Sequence, residues 1–231
     1  MAVEAVIFDW GGTLTEWRTI SPNDEWSSLA AVAAPERHTA ATDALVAAAT
    51  AVWTRSRDEH RSATLEEICR LAEIVYDAEH LQAYRDFWEP ATITHDDVPG
   101  LFEWLRDQGI KVGVLSNTVW PRAWHEEIFV RDGVDHLIDG DVYTSEIAWT
   151  KPAPAAFEAA MSAVGVSSPE RCVFVGDRLF DDIYGAKNVG MKAVHVPHSE
   201  IPLTQHGHTL GEPDAVIQRL ADLPEVIDSW R

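Results

Sequence analysis

The sequence predicts an α/β protein, a doubly wound parallel sheet interrupted by an all-helical insert, and three observations carry that prediction. The first is Ala-Val-Ile-Phe at residues 5–8, a short branched apolar run that stops at Asp9-Trp10-Gly11-Gly12. Such a run reads as a buried strand, and the glycine pair as a sharp turn out of it. The second is the rhythm after Asp96-Asp97, where helical patterns alternate with short apolar strands. That alternation is the mark of βα units in a parallel sheet. The third is the stretch from about 24 to 90, which is Ala-rich, poor in Gly and Pro, and without strand-like alternation.

Each element has its own reason. Residues 3–8 form the first strand. Ala40–Arg57 is dense in Ala, Val and Leu and reads as helix. Thr64-Leu65-Glu66-Glu67 starts the next one as a capping box, with Thr64 at the N-cap and Glu67 reaching back. Ile68, Leu71, Ile74 and Val75 continue it at helical spacing. Gln82–Trp88 belongs to a further helix that Pro90 ends. Pro99–Gln108 is a helix stopped by Gly109, and Lys111–Leu115 a strand ending in Ser116-Asn117. Pro121–Asp132 is helical, Leu137–Tyr143 contains a strand, and Pro152–Val164 is helical. Cys172–Val175 is a strand ending in Gly176-Asp177, Asp181–Val189 a helix, and Lys192–Val196 a strand. The His-Gly-His stretch at 206–208 reads as loop.

Composition narrows the function classes. The 231 residues are 46% hydrophobic, enough for one large domain or a core with a smaller one. A formal net charge of −20 argues against nucleic acid and anionic membranes as partners. Cys69 and Cys172 are the only cysteines, and neither context suggests a zinc site or a disulfide framework. There is no basic N-terminal region and no run of about 18 apolar residues, so a soluble cytoplasmic protein without signal peptide or membrane span is expected.

Polar residues suited to one site stand at four strand ends or loops: Asp9, Ser116-Asn117, Lys151 before Pro152, and Asp177 with Asp181-Asp182. In a parallel sheet all carboxyl ends lie on one edge, where such groups converge on a ligand. Each has a plainer explanation alone: a turn-capping Asp, a Ser-Asn turn, a helix entry at Lys-Pro, a solvated acid after Gly-Asp. In this order, after these strands, coincidence is a poor account.

Together these residues resemble the four ordered motifs of the haloacid dehalogenase superfamily. The first motif matches at Asp9 and Thr13, the second at Ser116 in Val-Gly-Val-Leu-Ser-Asn, and the third at Lys151 in Thr-Lys-Pro. The fourth matches Val-Gly-Asp177-Arg-Leu-Phe-Asp-Asp182, and Ile-Tyr-Gly-Ala-Lys-Asn-Val-Gly-Met downstream is also similar to the family. The likeness covers residues 1–20 and about 97–200. It implies a Rossmann-like α/β core at 1–20 and 92–231 with a helical cap at 21–91. It implies a hydrolase, above all a Mg²⁺-dependent phosphatase that works through an aspartyl-phosphate on a small phosphorylated metabolite. Asp9 would be the nucleophile. The metal would be held by Asp9, the Gly11 carbonyl, Asp177 and Asp182, the last as a ligand or as a holder of metal-bound water or Lys151. Thr13, Ser116 and Lys151, with backbone donors at Gly12 and Asn117, would hold the phosphate.

One position departs from the pattern. Phosphatases of the superfamily carry a second Asp where this chain has Gly11. That Asp protonates the leaving oxygen and then activates water, help worth roughly 10²–10⁴-fold. Four explanations stand side by side. The first is a hydrolase of good leaving groups, or one that uses another acid, with His38, His60, His80 and His95 of the insert available. The second is a 2-haloacid dehalogenase, which has no leaving oxygen to protonate. That branch usually has Tyr at position 11 and Ser-x-Asn in the fourth motif, and Gly176-Asp177 is the metal-binding form instead. The third, phosphonate cleavage through a cap lysine, meets a segment 16–96 without any Lys. The fourth is a non-enzymatic descendant that binds phosphate, metal or a protein. Trp10, Trp17, Trp26, Trp120, Trp124 and Trp149 flank the motifs. They could line an aromatic pocket, but packing accounts for most of them. Arg18 reads as an exposed hinge residue.

Overall fold

The strand Ala5–Phe8 (β1) is the centre of the molecule because both its faces are apolar. Ala5 and Ile7 join one hydrophobic cluster and Val6 and Phe8 another, as the two-residue period of a strand requires. All four are fully buried. The computed structural model describes residues 2–16, 18–197 and 210–230. Trp17 and His206–His208 lie outside the described residues. Around β1 a six-stranded parallel sheet is built from Lys111–Ser116 (β2), Gly140–Tyr143 (β3), Cys172–Gly176 (β4), Lys192–His195 (β5) and Ala215–Val216 (β6). The order is β3-β2-β1-β4-β5-β6, so β1 lies between β2 and β4 and the strand order reverses there. This is the doubly wound sheet expected, and its switch point falls beside Asp9.

The helices that cover this sheet follow the strand rhythm. Asp97–Asp107, Arg122–Arg131, Pro154–Ala163 and Gly185–Asn188 alternate with β2 to β5, and Leu223–Ser229 follows β6. Pro154–Ala163 puts Ala156, Phe157 and Ala160 on the face of Ala5 and Ile7, while Asp97–Asp107 puts Leu101, Phe102 and Leu105 on the face of Val6 and Phe8. The expected helix at Asp181–Val189 differs in kind. It begins as a wide π-helical turn, Leu179–Tyr184, before the α-helical residues Gly185–Asn188. Such turns cluster at functional sites. The last strand and helix carried no readable pattern.

Between β1 and Asp97 the described residues form four α-helices: Pro22–Ala33 (α1), His38–Glu59 (α2), Leu65–Leu71 (α3) and Ala78–Trp88 (α4). In chain order the five helices above are then α5 to α9. Helix α1 packs against α2 and α4, and α2 against α3. Thr64 caps α3 as expected, its Oγ1 accepting the Glu67 N–H at 3.1 Å. The reciprocal half of the box is absent. The Glu67 carboxylate faces the Arg55 guanidinium with two bonds of 2.9 Å, a charge-assisted pair stronger than a bond to a neutral N–H. One hydrophobic cluster runs from Val114 and Val175 of the sheet through Trp10, Leu14 and Trp120 to Trp26, Leu45 and Tyr84 of the helices. Among the described residues no helix is long and apolar enough to cross a membrane.

Candidate active site

The site forms where β1, β2 and β4 run out on the same edge. The Asp9 N–H donates to the Val175 carbonyl at 2.9 Å, which holds the residue against β4 as it leaves the sheet. The chain then folds back on itself, the Trp10 carbonyl accepting from the N–H groups of Thr13, Leu14 and Thr15 at 3.3, 2.9 and 3.2 Å. Gly12 has φ +88°, a value a side chain would strain. The Thr13 hydroxyl is buried with no hydrogen-bond partner. Ser116 ends β2 and is buried.

Lys151 arrives from the loop before α7. Asn117 fixes that loop from both sides: its Nδ2 donates to the Lys151 carbonyl at 3.1 Å and its Oδ1 accepts the Lys151 N–H at 2.9 Å. The Asn117 side chain is thereby committed to positioning Lys151. The Lys151 ammonium, buried, lies 2.6 Å from Asp9 Oδ1 and 2.6 Å from Asp182 Oδ1. The other Asp182 oxygen accepts the Arg178 N–H at 2.8 Å. Asp177 follows β4 directly; one oxygen takes the Arg178 guanidinium at 3.1 Å and the other, Oδ1, is buried with no partner. Gly176 is small for a local reason, since a Cβ there would overlap the Asp182 carboxyl.

Asp9, Asp177 and Asp182 are all buried, with one oxygen of each within 4.8 Å of the others. So much negative charge in one dry place has a cost. Burial first, then the Asp9 and Asp182 charges, push Asp177 well above the usual carboxylate range. Burial pushes Asp182 up to about 6, with Lys151 opposing and Asp9 adding to the shift. Burial works against the Lys151 charge, yet Asp182 and Asp9 more than offset it and hold the ammonium above its ordinary value. Three hard carboxylates, one with an orphaned buried oxygen, are a donor set that fits Mg²⁺. Gly11 adds no side chain, and a Cβ built on it would meet nothing within 4 Å, so no neighbour fills that space.

Some contributors had no sequence signal of their own. His195, at the end of β5, has its Nε2 3.0 Å from the Asp177 carbonyl, so its ring N–H steadies the loop that carries Asp177. A polar residue closing a strand on the reactive edge was the one available clue. Ser56 of α2 donates to the Thr150 hydroxyl at 3.2 Å, tying the helices to the residue before Lys151. Of the tryptophans, Trp10, Trp26 and Trp120 are buried packing groups, with Trp10 and Trp120 5.7 Å apart. Trp149 is exposed, and the Arg61 guanidinium lies over its ring at 4.7 Å. Arg18 is exposed as expected.

Comparison with known proteins adds a family model, two curated relatives and two solved structures. A family model described as haloacid dehalogenase-like hydrolase matches residues 3–190. A glyceraldehyde 3-phosphate phosphatase of Methanothermobacter thermautotrophicus is 34% identical over 125 residues, which are 53% of this chain and 54% of that protein. An N-acylneuraminate-9-phosphatase of Mus musculus is 30% identical over 148 residues, 62% of this chain and 56% of that protein. The chain thus spans about half the length of the curated relatives it matches. Among solved structures, a HAD phosphatase from Thermococcus onnurineus superposes with TM-score 0.70 at 23% identity, covering 97% of this chain and 98% of that one. An L-2-haloacid dehalogenase from Xanthobacter autotrophicus gives TM-score 0.67 at 19% identity, covering 99% and 100%. At those identities the two structures speak for the fold alone.

Proposed function

The chain belongs to the haloacid dehalogenase-like hydrolase family, and from that premise we propose that it is a cytoplasmic Mg²⁺-dependent phosphatase of small phosphorylated metabolites. The observation that carries this is the set of Asp9, Asp177 and Asp182, three buried carboxylates converging within 4.8 Å, with Asp9 and Asp182 on the Lys151 ammonium and Asp177 Oδ1 left unpartnered. The phosphatases among the relatives support phosphoryl transfer as the chemistry.

On this reading residues 1–20 and 92–231 are the reacting core and 21–91 a cap. Asp9, Asp177, Asp182 and the Gly11 carbonyl would hold Mg²⁺, which would neutralise charge on the phosphoryl group. Asp9 attacks phosphorus and becomes an aspartyl-phosphate, splitting one hard displacement into two. Lys151 orients Asp9 and, with the Ser116 hydroxyl and the unpartnered Thr13 hydroxyl, binds phosphate oxygens. The Gly12 and Asn117 backbone N–H groups complete the cradle.

Gly11 favours a second reading, a 2-haloacid dehalogenase, since halide departs without a proton. The test is a panel of aryl, alkyl and acyl phosphates and 2-haloacids, with Mg²⁺ and with chelator. Mg²⁺-dependent release of inorganic phosphate is expected. Metal-independent halide release without phosphate release would replace this reading by the dehalogenase.

A further inference from the structure

With glycine at position 11, that position offers no carboxyl group to protonate the leaving oxygen, and the space is not taken by a neighbour. The helical segment meets the site at a stitched seam. The His60 carbonyl accepts the Thr150 N–H at 2.9 Å, and the Ser62 N–H donates to the Ala148 carbonyl at 3.3 Å. The Ser62 hydroxyl donates to the Ile147 carbonyl, and Ser56 donates to the Thr150 hydroxyl. Thr150 precedes Lys151, so the seam fixes His60 against the strand of chain that carries the site ammonium. On its other side the His60 ring lies 6.2 Å, centroid to centroid, from Phe180, inside the turn between Asp177 and Asp182. The Asp181 carboxylate of that turn interacts with the His60 charge.

The residue is held in an unusual way. His60 ends α2 with φ 54°, a left-handed backbone at the position where glycine is the common choice. Its Nδ1 is buried without a hydrogen-bond partner. An imidazole is also the side chain that titrates nearest neutral pH, which suits it to both giving and taking a proton.

Resting on the phosphatase reading above, we infer that His60 is the acid and base that position 11 lacks, and that it fits the site to alkyl phosphate monoesters. In the first step an Asp9 oxygen forms a bond to phosphorus and the bond from phosphorus to the leaving oxygen breaks. The leaving oxygen keeps that electron pair and takes a proton from the His60 imidazolium, so the alcohol departs neutral. In the second step the neutral imidazole takes a proton from water as its oxygen bonds to phosphorus. The bond from phosphorus to Asp9 breaks, and inorganic phosphate, the free carboxylate and the imidazolium are restored. A charged group that acts on the ring is Asp181, a carboxylate on which Lys151 and Arg178 also act.

The experiment compares kcat/KM for glycerol phosphate and p-nitrophenyl phosphate, with Mg²⁺. The proteins are the wild type, His60→Asn, Gly11→Asp and the double variant. Asn tolerates a left-handed backbone, so His60→Asn keeps the end of α2, which its melting temperature checks. His60→Asn should lower the alkyl reaction about 10²-fold or more while the aryl reaction moves less than about threefold, because only the alkoxide needs the proton. Gly11→Asp should restore the alkyl rate in the double variant. An equal loss for both substrates, a rise in KM alone, or no change overturns the inference while leaving the phosphatase reading intact. A wild type that turns over neither phosphate overturns both.

Discussion

At the scale of single residues the central matter is charge. Asp177 and Asp182 are both pushed above the ordinary carboxylate range by burial, Asp182 from 3.8 to about 6. A carboxyl that holds its proton more tightly folded than unfolded contributes stability that is present at low pH and lost as pH rises through its folded value. For Asp182 that loss runs from near 3.8 to about 6. A divalent cation bound by these carboxylates would reverse the penalty, since it favours the ionised forms. Added Mg²⁺ should therefore raise the melting temperature little at pH values below that window and clearly above it. Asp177→Asn should abolish the shift and the calorimetric binding signal together. A shift of equal size on both sides of the window, or one that survives in Asp177→Asn, would remove Asp177 from the proposed metal site. The convergence of Asp9, Lys151 and Asp182 was legible in the sequence because each closes or follows a strand whose direction the alternating pattern implies. The roles of Gly176 and Asn117 were not. They depend on an overlap with the Asp182 carboxyl and on a reciprocal pair with the Lys151 backbone, and both exist only once the loops are placed.

At the scale of elements, helix α6 shows what pattern reading leaves out. It carries His125, fully buried, stacked on Tyr143 of β3 at 4.2 Å and edge-on to Trp10 at 4.6 Å. Burial, with the nearby Arg122 charge, lowers its pKa from 6.5 to about 3. The unfolded chain then binds the proton first, so stability is full above the unfolded value and falls as pH drops below 6.5. Between neutral pH and two units below that value the loss is about 3 kcal/mol. His125→Phe, which keeps a ring of similar breadth, should flatten that acid limb in denaturant titrations at several pH values. An unchanged limb would assign it to other groups. Helix α3 makes a complementary point. Its Thr64 cap was readable from four consecutive residues, whereas the capture of Glu67 by Arg55, 12 positions away on α2, was not, because local sequence does not report long-range competitors. The two-residue strand β6 is too short for any periodicity to show.

At the scale of the whole molecule, the sheet and the helices of the insert share one apolar cluster, and Trp120 stands at their junction. Its ring lies 5.5 Å from that of Trp88 and 5.7 Å from that of Trp10, and its Nε1–H donates to the Tyr84 hydroxyl at 3.2 Å. Trp120→Ala should cost about 3–5 kcal/mol, the range for a deleted core aromatic. It should shift the far-UV dichroism and tryptophan fluorescence transitions together. Separation of the two curves would show that the helices and the sheet unfold independently. The same continuity explains how residues far apart in sequence reach one site: the seam at Thr150 and the switch point beside β1 bring the helical segment, the Lys151 loop and the carboxylates to one edge of the sheet. The central claim is that Asp9 on that edge takes a phosphoryl group in a Mg²⁺-dependent step. The most direct measurement is the mass of the peptide that contains Asp9, acid-quenched during turnover of an acyl phosphate, whose leaving group needs no proton from position 11. The account predicts a peptide heavier by one phosphoryl group when Mg²⁺ is present, and an unmodified peptide with chelator or in Asp9→Asn. Turnover at full rate in Asp9→Asn, or a phosphoryl group found on another residue, would contradict it.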